Sequence, residues 1–329
     1  MSVPVIEVKK LSKNFTYHKK PEGLAGTFKA LFRRETLIKE AVRDVSFTID
    51  QGEFIGFVGP NGAGKTTTLK MLSGILYPTA GSVRVAGFDP ARRQDEFKRK
   101  ISIVMGQKSL VWPTLPAIET FNLLQKMYEV PDDVYRARLK QLAELMEVQD
   151  LLQIQVRKLS LGQRMKCELI AALLHDPQIL FLDEPTIGLD VVSQKKIRSF
   201  LRQHNEAYGT TIILTSHNMD DVQGLCRRLI IINEGRLGYD GSIERIIAEH
   251  SQDKTVKVIF NKRTAAEDLA KVGQVIRHNP YEAEIAIPSE AVAERISALL
   301  AGFPVKDINI TAVTLEEVIA DIFSSGKKT

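Results

Sequence analysis

Residues 53–67 have the sequence EFIGFVGPNGAGKTT, and this stretch decides the fold. Its first six residues form an apolar strand, and residues 65–72 have the pattern of a helix. The glycine-rich loop between them matches the phosphate-binding pattern G-x-x-x-x-G-K-[ST], in the strand-to-helix context that the pattern requires. Glycines let the backbone N–H groups face a phosphate above the positive end of the helix. The residues expected to bind a nucleotide are Gly59, Pro60, Asn61, Gly62, Ala63, Gly64, Lys65, Thr66 and Thr67.

Two residues of this loop have distinct expected roles. Lys65 would reach the β- and γ-phosphates, and the Thr66 hydroxyl would bind Mg²⁺. A glycine-rich structural turn is the alternative interpretation. The strand before the loop and the helix after it favour phosphate binding, so ATP with Mg²⁺ is the expected ligand.

A pair of carboxylates follows a second apolar strand, residues 179–182. Asp183 and Glu184 end this strand, and ligands of open α/β sheets bind at the carboxyl ends of strands. We expect Asp183 to hold Mg²⁺ and Glu184 to polarise the water that attacks the γ-phosphate. Such a pair is commonly a solvated turn, but its position downstream of a phosphate-binding loop favours catalysis.

The segment Leu159-Ser160-Leu161-Gly162-Gln163 resembles the signature of ABC ATPases. Its third residue is a leucine where a glycine is usual, at a position that tolerates the change. The resemblance implies that residues 160–163 open a helix whose hydroxyl, N–H groups and dipole meet the γ-phosphate of ATP held by a second subunit. A simple helix cap is the alternative, and the position of the segment before the carboxylate pair, at the spacing of the family, argues against it.

Further motifs of the same family follow in order, although each is weak alone. By resemblance, Gln107 binds Mg²⁺ and joins it, with the attacking water, to the helical region that follows, and His217 contacts the γ-phosphate. Asp190, in Gly188-Leu189-Asp190, belongs to the loop that crosses the dimer interface and contacts nucleotide. For adenine the family uses an aromatic ring after the first strand, where Phe15 lies, with Tyr17 as second candidate and packing under the loop as the alternative role. The expected catalytic residues are Lys65, Gln107, Glu184 and His217.

Strand and helix patterns alternate over residues 1–250 and predict an α/β fold, a P-loop ATPase core with a mixed sheet. Residues 108–177 are almost wholly helical and predict an inserted helical subdomain. Residues 251–329 predict a small C-terminal α+β domain of ferredoxin-like type.

An insertion between the first two strands is the most individual feature of the chain. Residues 18–40 contain six Lys or Arg, with apolar residues at helical spacing, so we expect a short basic amphipathic helix. A surface helix with solvated charges is the favoured interpretation. The alternative is that Lys29, Arg33 and Arg34 face a membrane surface or an acidic loop of a partner.

Composition limits where the protein works. The formal net charge of the 329 residues is +5, too modest to predict nucleic acid as a partner. No apolar run reaches the roughly 18 residues that span a bilayer. We therefore expect a cytoplasmic protein, peripheral at the inner face of the cell membrane through its partner.

The resemblance implies the ATP-binding and ATP-hydrolysing subunit of an ABC transporter, of the type that serves exporters of drugs, lipids or peptides. Its expected partners are an integral membrane permease and a second ATP-binding subunit, in a homodimer or a heterodimer. A soluble ABC ATPase of translation or DNA repair is the alternative. The single cassette and the lack of a long coiled coil argue against that alternative.

Overall fold

The computed structural model describes residues 4–18, 36–106, 108–250, 253–311 and 314–325. The chain divides into two compact units, Met1–Asp240 and Gly241–Thr329. Among the described residues, no helix combines the length and the apolar character needed to cross a membrane.

A parallel-rich sheet forms the centre of the first unit. Its order is β5-β6-β7-β3-β8-β9, and the first five strands in this order run parallel to one another. Every residue of β3 and β7 is buried, as their continuous apolar runs predict for parallel strands covered on both faces. The strands are β3 (Phe54–Val58), β5 (Ile101–Met105), β6 (Ile179–Asp183), β7 (Thr211–Thr215), β8 (Arg228–Asn233) and β9 (Arg236–Ser242).

Helices connect the parallel strands, as a crossover between parallel strands requires. Three helices with amphipathic patterns lie between β5 and β6, in the region expected to be helical. In chain order the helices of this unit are α1 (Lys65–Leu72), α2 (Asp95–Lys100), α3 (Ala117–Met127), α4 (Asp132–Met146), α5 (Leu161–Leu173), α6 (Val191–Tyr208) and α7 (Met219–Leu225).

An antiparallel sheet of order β2-β1-β4 packs on the same core, through β1 (Ile6–His18), β2 (Thr36–Ile49) and β4 (Ala80–Val85). Alternating apolar residues predict strands over residues 3–9 and 41–49, but the pairing of β1 and β2 continues to His18 opposite Thr36. Most of the expected helix over residues 18–40 falls on residues 19–35, outside the described residues. Residues 36–40 are strand rather than helix.

The second unit contains the small α+β arrangement that the sequence predicts. Its antiparallel sheet has the order β11-β12-β10-β13, and the βαββαβ succession is ferredoxin-like. Val256, Val258, Ile285 and Ile287 alternate along two strands and bury one face of the sheet. Its elements are α8 (Ile243–His250), β10 (Asp253–Phe260), α9 (Ala266–Leu269), β11 (Gln274–Asn279), β12 (Glu282–Pro288), α10 (Val292–Gly302), β13 (Val305–Thr311) and α11 (Leu315–Ser325).

Candidate active site

The glycine-rich loop leaves the end of β3 and leads directly into α1. Gly59 approaches β8 so closely that an added Cβ would lie 2.1 Å from the carbonyl oxygen of Ile232. Gly64 caps the helix at φ 107°, with no side chain bonded to the helix end and no acidic residue in the first turn. The first backbone N–H groups of α1 therefore have no acceptor from the helix itself, which is the arrangement that binds phosphate.

Lys65 lies inside the curl of the loop and is 6% exposed. Its Nζ donates hydrogen bonds to the carbonyl oxygens of Gly59 at 2.6 Å and Pro60 at 3.1 Å. Burial lowers the pKa of the Lys65 ammonium group below its usual range, while the charges of Glu184 and Asp183 oppose that effect. The loop thus holds an ammonium group close to two carboxylates.

A hydroxyl and a carboxylate meet beside the loop, as expected for a magnesium site. Thr66 Oγ1 lies 3.0 Å from Asp183 Oδ2 and 3.1 Å from Oδ1. Thr215 Oγ1 donates a hydrogen bond to Asp183 Oδ1 at 2.7 Å, because β6 and β7 are neighbours with these two residues in register. Hard oxygen ligands of this kind suit Mg²⁺, so the residues present fit the ion.

Glu184 and His217 come together at the ends of β6 and β7. His217 Nε2 lies 2.6 Å from Glu184 Oε1. The backbone of Glu184 is left-handed, at φ 56°, and its N–H donates to the carbonyl oxygen of Thr215 at 3.0 Å. Such a conformation in a non-glycine residue costs about 1–3 kcal/mol and persists where surrounding contacts impose it. Both side chains border a cavity of about 280 Å³.

Gln107 itself lies outside the described residues, but its neighbours are fixed. The Gly106 N–H donates to the carbonyl oxygen of Asp183 at 2.9 Å. Further on, Glu168 of α5 accepts hydrogen bonds from the Ser109 hydroxyl and from the Leu110 N–H, the latter at 2.7 Å. Burial raises the pKa of the Glu168 carboxyl group, an effect that these hydrogen bonds oppose. The segment after Gln107 is therefore bonded to the helix that the signature residues open.

The signature residues form the start of α5. Ser160 Oγ accepts from the Gln163 N–H at 3.2 Å, and Gln163 Oε1 accepts from the Ser160 N–H at 2.9 Å, which is a capping box. Leu161 is 42% exposed. A Cβ on Gly162 would lie 2.4 Å from the hydroxyl oxygen of Ser193. Because Ser193 donates to Asp190 at 2.7 Å, the signature segment and the Asp190 segment pack together within one chain.

The two aromatic candidates for adenine lie on the β1–β2 hairpin. Phe15 is 37% exposed and pairs with Lys39, and Tyr17, two residues further on the same face, is 50% exposed. Ala41 lies on β2 of the same hairpin, and a Cβ on Gly64 would lie 2.4 Å from its carbonyl oxygen. The hairpin therefore packs against the phosphate-binding loop. Either ring is available for stacking on a base.

Comparisons with known proteins agree with this geometry. A family profile described as "ABC transporter" matches residues 42–187, and one described as "EvrA-like ABC transporter, C-terminal domain" matches residues 252–311. The linearmycin resistance ATP-binding protein LnrL of Bacillus subtilis (strain 168) is 31% identical over 284 residues, 85% of this chain and 90% of its own. The chain belongs to the ABC transporter ATP-binding proteins.

Other ABC proteins give the same result. The ABC transporter ATP-binding protein NatA of Bacillus subtilis (strain 168) is 36% identical over 223 residues, 68% of this chain and 90% of its own. A dimeric ATP-binding cassette in a post-hydrolysis state, bound to ADP and Pi, is 25% identical at a TM-score of 0.60, over 72% of this chain and 98% of that one. The predicted family and the predicted P-loop ATPase fold are therefore confirmed.

Sequence reasoning missed some polar residues of this ABC ATPase. Thr215 bonds both Asp183 and Glu184, but it ends the apolar strand before His217 and nothing local in the sequence marks it as a site residue. Glu168 was not noted at all, although a carboxylate inside the apolar run of a helix is a signal for a buried polar contact. Asp221 also escaped notice, since it is one of two adjacent aspartates and nothing local distinguishes the buried one.

Proposed function

We propose that this chain hydrolyses ATP as one subunit of a dimer, and that hydrolysis drives export through a separate integral membrane permease. The observation that carries the proposal is the contact of Glu184 with His217 at 2.6 Å. Glu184 follows directly on Asp183, which lies against Thr66 of the phosphate-binding loop. A carboxylate and an imidazole so placed suit the polarisation of a water molecule beside a bound γ-phosphate.

In this mechanism Glu184 accepts a hydrogen bond from the attacking water and aligns it with the γ-phosphate. His217 orients the Glu184 carboxylate through Nε2 and contacts the γ-phosphate. Lys65 and the N-terminal N–H groups of α1 stabilise the negative charge that develops there. Mg²⁺, held by Thr66, Asp183 and Gln107, would add positive charge at the same oxygens.

A dimer is part of the proposal because residues 160–163 resemble the ABC signature, which meets the ATP held by a second subunit. Ser160 and the start of α5 offer N–H groups and a helix dipole, which suit a γ-phosphate presented by a second subunit. Two copies of this chain, or this chain and a related one, would complete two sites. The related cassette structures described as dimeric support this assembly.

The permease, the export direction and a place at the inner face of the membrane rest on the relatives. Their names include linearmycin resistance and Nod factor export, the latter in Burkholderia lata at 35% identity over 64% of this chain and 68% of the relative. Co-purification of an integral membrane protein from the membrane fraction tests this part. Recovery of the chain without such a protein, under conditions that keep membrane complexes intact, would contradict it.

The experiment on Glu184 separates binding from hydrolysis. We expect Glu184→Gln to lower the rate of ATP hydrolysis by roughly a hundredfold or more, since a general base contributes 10²–10⁴-fold. ATP binding is expected to persist, so the variant should elute as a dimer in size-exclusion chromatography with ATP and Mg²⁺. Glu206→Gln, an exposed position on α6, is the matched control. A monomer with wild-type hydrolysis would refute the role of Glu184.

A further inference from the structure

Asp221 of α7 is a fully buried carboxylate that bonds three separate segments of the chain. Its Oδ2 accepts a hydrogen bond from the Thr186 hydroxyl and another from Ser216 Oγ at 3.1 Å. Its Oδ1 accepts from Arg198 Nη1 of α6 at 2.5 Å. One small side chain thereby connects the segments after β6 and β7 with a helix of the core.

The two hydroxyl partners lie next to Glu184 and His217, the catalytic pair. Thr186 lies two residues after Glu184, and Ser216 lies directly before His217. Both hydroxyls donate to the same carboxylate oxygen, so they are held at a fixed separation. Because each segment is only a few bonds long between its hydroxyl and its catalytic side chain, this separation also restricts the distance from Glu184 to His217.

Arg198 explains why a charged group is tolerated at this place. Removing a carboxylate from water is unfavourable unless a cation and hydrogen bonds compensate for the lost hydration. The guanidinium supplies the cation, and its own side chain is only 16% exposed. Hydrogen bonds to charged groups are roughly twice as strong as those between neutral groups, so the arrangement resists displacement.

A second set of contacts strengthens the same link. Gln194, one helical turn before Arg198 on α6, donates from Nε2 to the carbonyl oxygen of Leu189 at 3.2 Å. Its Oε1 accepts from Asn218 Nδ2 at 3.5 Å, next to His217. The helix that carries Arg198 therefore contacts both segments beside the 280 Å³ cavity.

We propose that Asp221 is a positioning residue for ATP hydrolysis, which sets the separation of Glu184 and His217 through Thr186 and Ser216. The proposal rests on the hydrolytic function proposed above. Among the described residues, the side chain of Asp221 bonds Thr186, Ser216 and Arg198, and none of these belongs to the phosphate-binding loop. We therefore expect its effect on turnover and not on ATP binding.

The test replaces one of two adjacent aspartates in the full-length chain. Asp221→Asn keeps the shape of the side chain but cannot accept hydrogen bonds at both ends. Asp220→Asn makes the same change of charge at the exposed neighbour and is the control. We expect Asp221→Asn to lower kcat by roughly tenfold or more with the Kd for ATP within about twofold, since displacement by 1 Å can cost 10²-fold in rate. Asp220→Asn should match the wild type in both.

Two milder variants guard against a failure of Asp221→Asn to fold. Thr186→Val and Ser216→Ala each remove one hydroxyl and leave the pair of Asp221 and Arg198 intact. Each is expected to lower kcat severalfold without weakening ATP binding. If both keep the wild-type kcat, the proposal is wrong, whatever the state of Asp221→Asn.

A double-mutant cycle with His217→Ala separates positioning from general stabilisation. Phosphate release from labelled ATP measures low rates. If Asp221 acts through the catalytic pair, Asp221→Asn should add little further loss when His217 is absent. A full additional loss in the His217→Ala background would show a merely structural role and overturn the proposal.

The result for Glu184 distinguishes the two proposals. If Glu184→Gln hydrolyses ATP like the wild type, the proposed function fails, and the role of Asp221 fails with it. If Glu184→Gln stalls turnover while Asp221→Asn behaves like Asp220→Asn, only the role of Asp221 fails.

Discussion

Replacing Gly59 by alanine tests whether the phosphate-binding loop needs a glycine for space or for conformation. The added Cβ would lie 2.1 Å from the carbonyl oxygen of Ile232 and 3.2 Å from Ala63 Cβ. A carbon and an oxygen that are not bonded normally stay about 3.3 Å or more apart. The obstacle is the backbone of β8, in the core of the sheet, so the loop has to move by roughly 1 Å.

The displacement should be measurable as a loss of ATP affinity. A hydrogen bond to a charged group is worth about 1.5–3 kcal/mol, so losing two loop N–H contacts to phosphate weakens ATP binding by about 3 kcal/mol or more. This corresponds to roughly a hundredfold increase in Kd. The φ of Gly59 is not positive, unlike those of Gly62 and Gly64, so backbone strain adds nothing to the expected increase in Kd.

Gly62→Ala is the matched control, because Gly62 has the opposite properties. Its φ is 81°, and an added Cβ would meet nothing within 4 Å. A left-handed conformation costs an alanine about 1–2 kcal/mol, so the expected weakening is roughly tenfold. Isothermal titration calorimetry with ATP and Mg²⁺ measures both variants, with thermal melting as the check on folding. Binding by Gly59→Ala within threefold of the wild type, or a larger loss for Gly62→Ala, would refute the reasoning.

Two further predictions concern assembly and pH. Gly162→Ala would place a Cβ 2.4 Å from Ser193 Oγ and push that hydroxyl away from Asp190. ATP-dependent dimer formation, measured by size-exclusion chromatography, should therefore weaken while ATP binding is unchanged. Gly224→Ala is the control and should dimerise normally, because its new Cβ would meet nothing nearer than 3.6 Å. Burial lowers the pKa of His204 from 6.5 to about 4. The imidazole of the unfolded chain therefore binds a proton more readily than that of the folded chain, and the free energy of unfolding falls as the pH drops from 6.5 towards 4. Between pH 7.5 and pH 5 this loss is about 2 kcal/mol, and in urea unfolding His204→Gln should lose about 2 kcal/mol less than the wild type, whereas equal losses would contradict the prediction.

Local elements followed the sequence closely where neighbouring residues decide the conformation. The helix predicted over residues 65–72 is α1, Lys65–Leu72, because the glycines before it and the apolar spacing within it are local signals. In the second unit, the pattern of residues 282–287 predicts a strand, and the structure has β12, Glu282–Pro288, at this place. The pattern of residues 264–271 predicts a helix, and the observed helix is shorter, Ala266–Leu269. Its single buried residue, Leu269, provides little apolar surface to extend it.

The hairpin of β1 and β2 shows where local signals fail. Strands were predicted over residues 3–9 and 41–49, but pairing extends to His18 and Thr36. The residues that extend it, such as Tyr17 and Ile38, are exposed and lack the regular alternation of a half-buried strand. Backbone hydrogen bonds between the two strands hold this extension, and such bonds are not predicted by residue type.

By itself, the sequence determined the elements whose physics is local: the curl of residues 59–64, the helix that residues 160–163 open and the carboxylates at the end of β6. Only the tertiary structure decided that β7 lies between β6 and β3. This strand order brings Thr66 to Asp183, Glu184 to His217, and Asp221 beneath both segments. Each of those pairs is separated by many residues along the chain, and their contact depends on how the whole sheet packs. Asp220 and Asp221 are alike in sequence, and only the burial of Asp221 in the folded chain distinguishes it from its exposed neighbour.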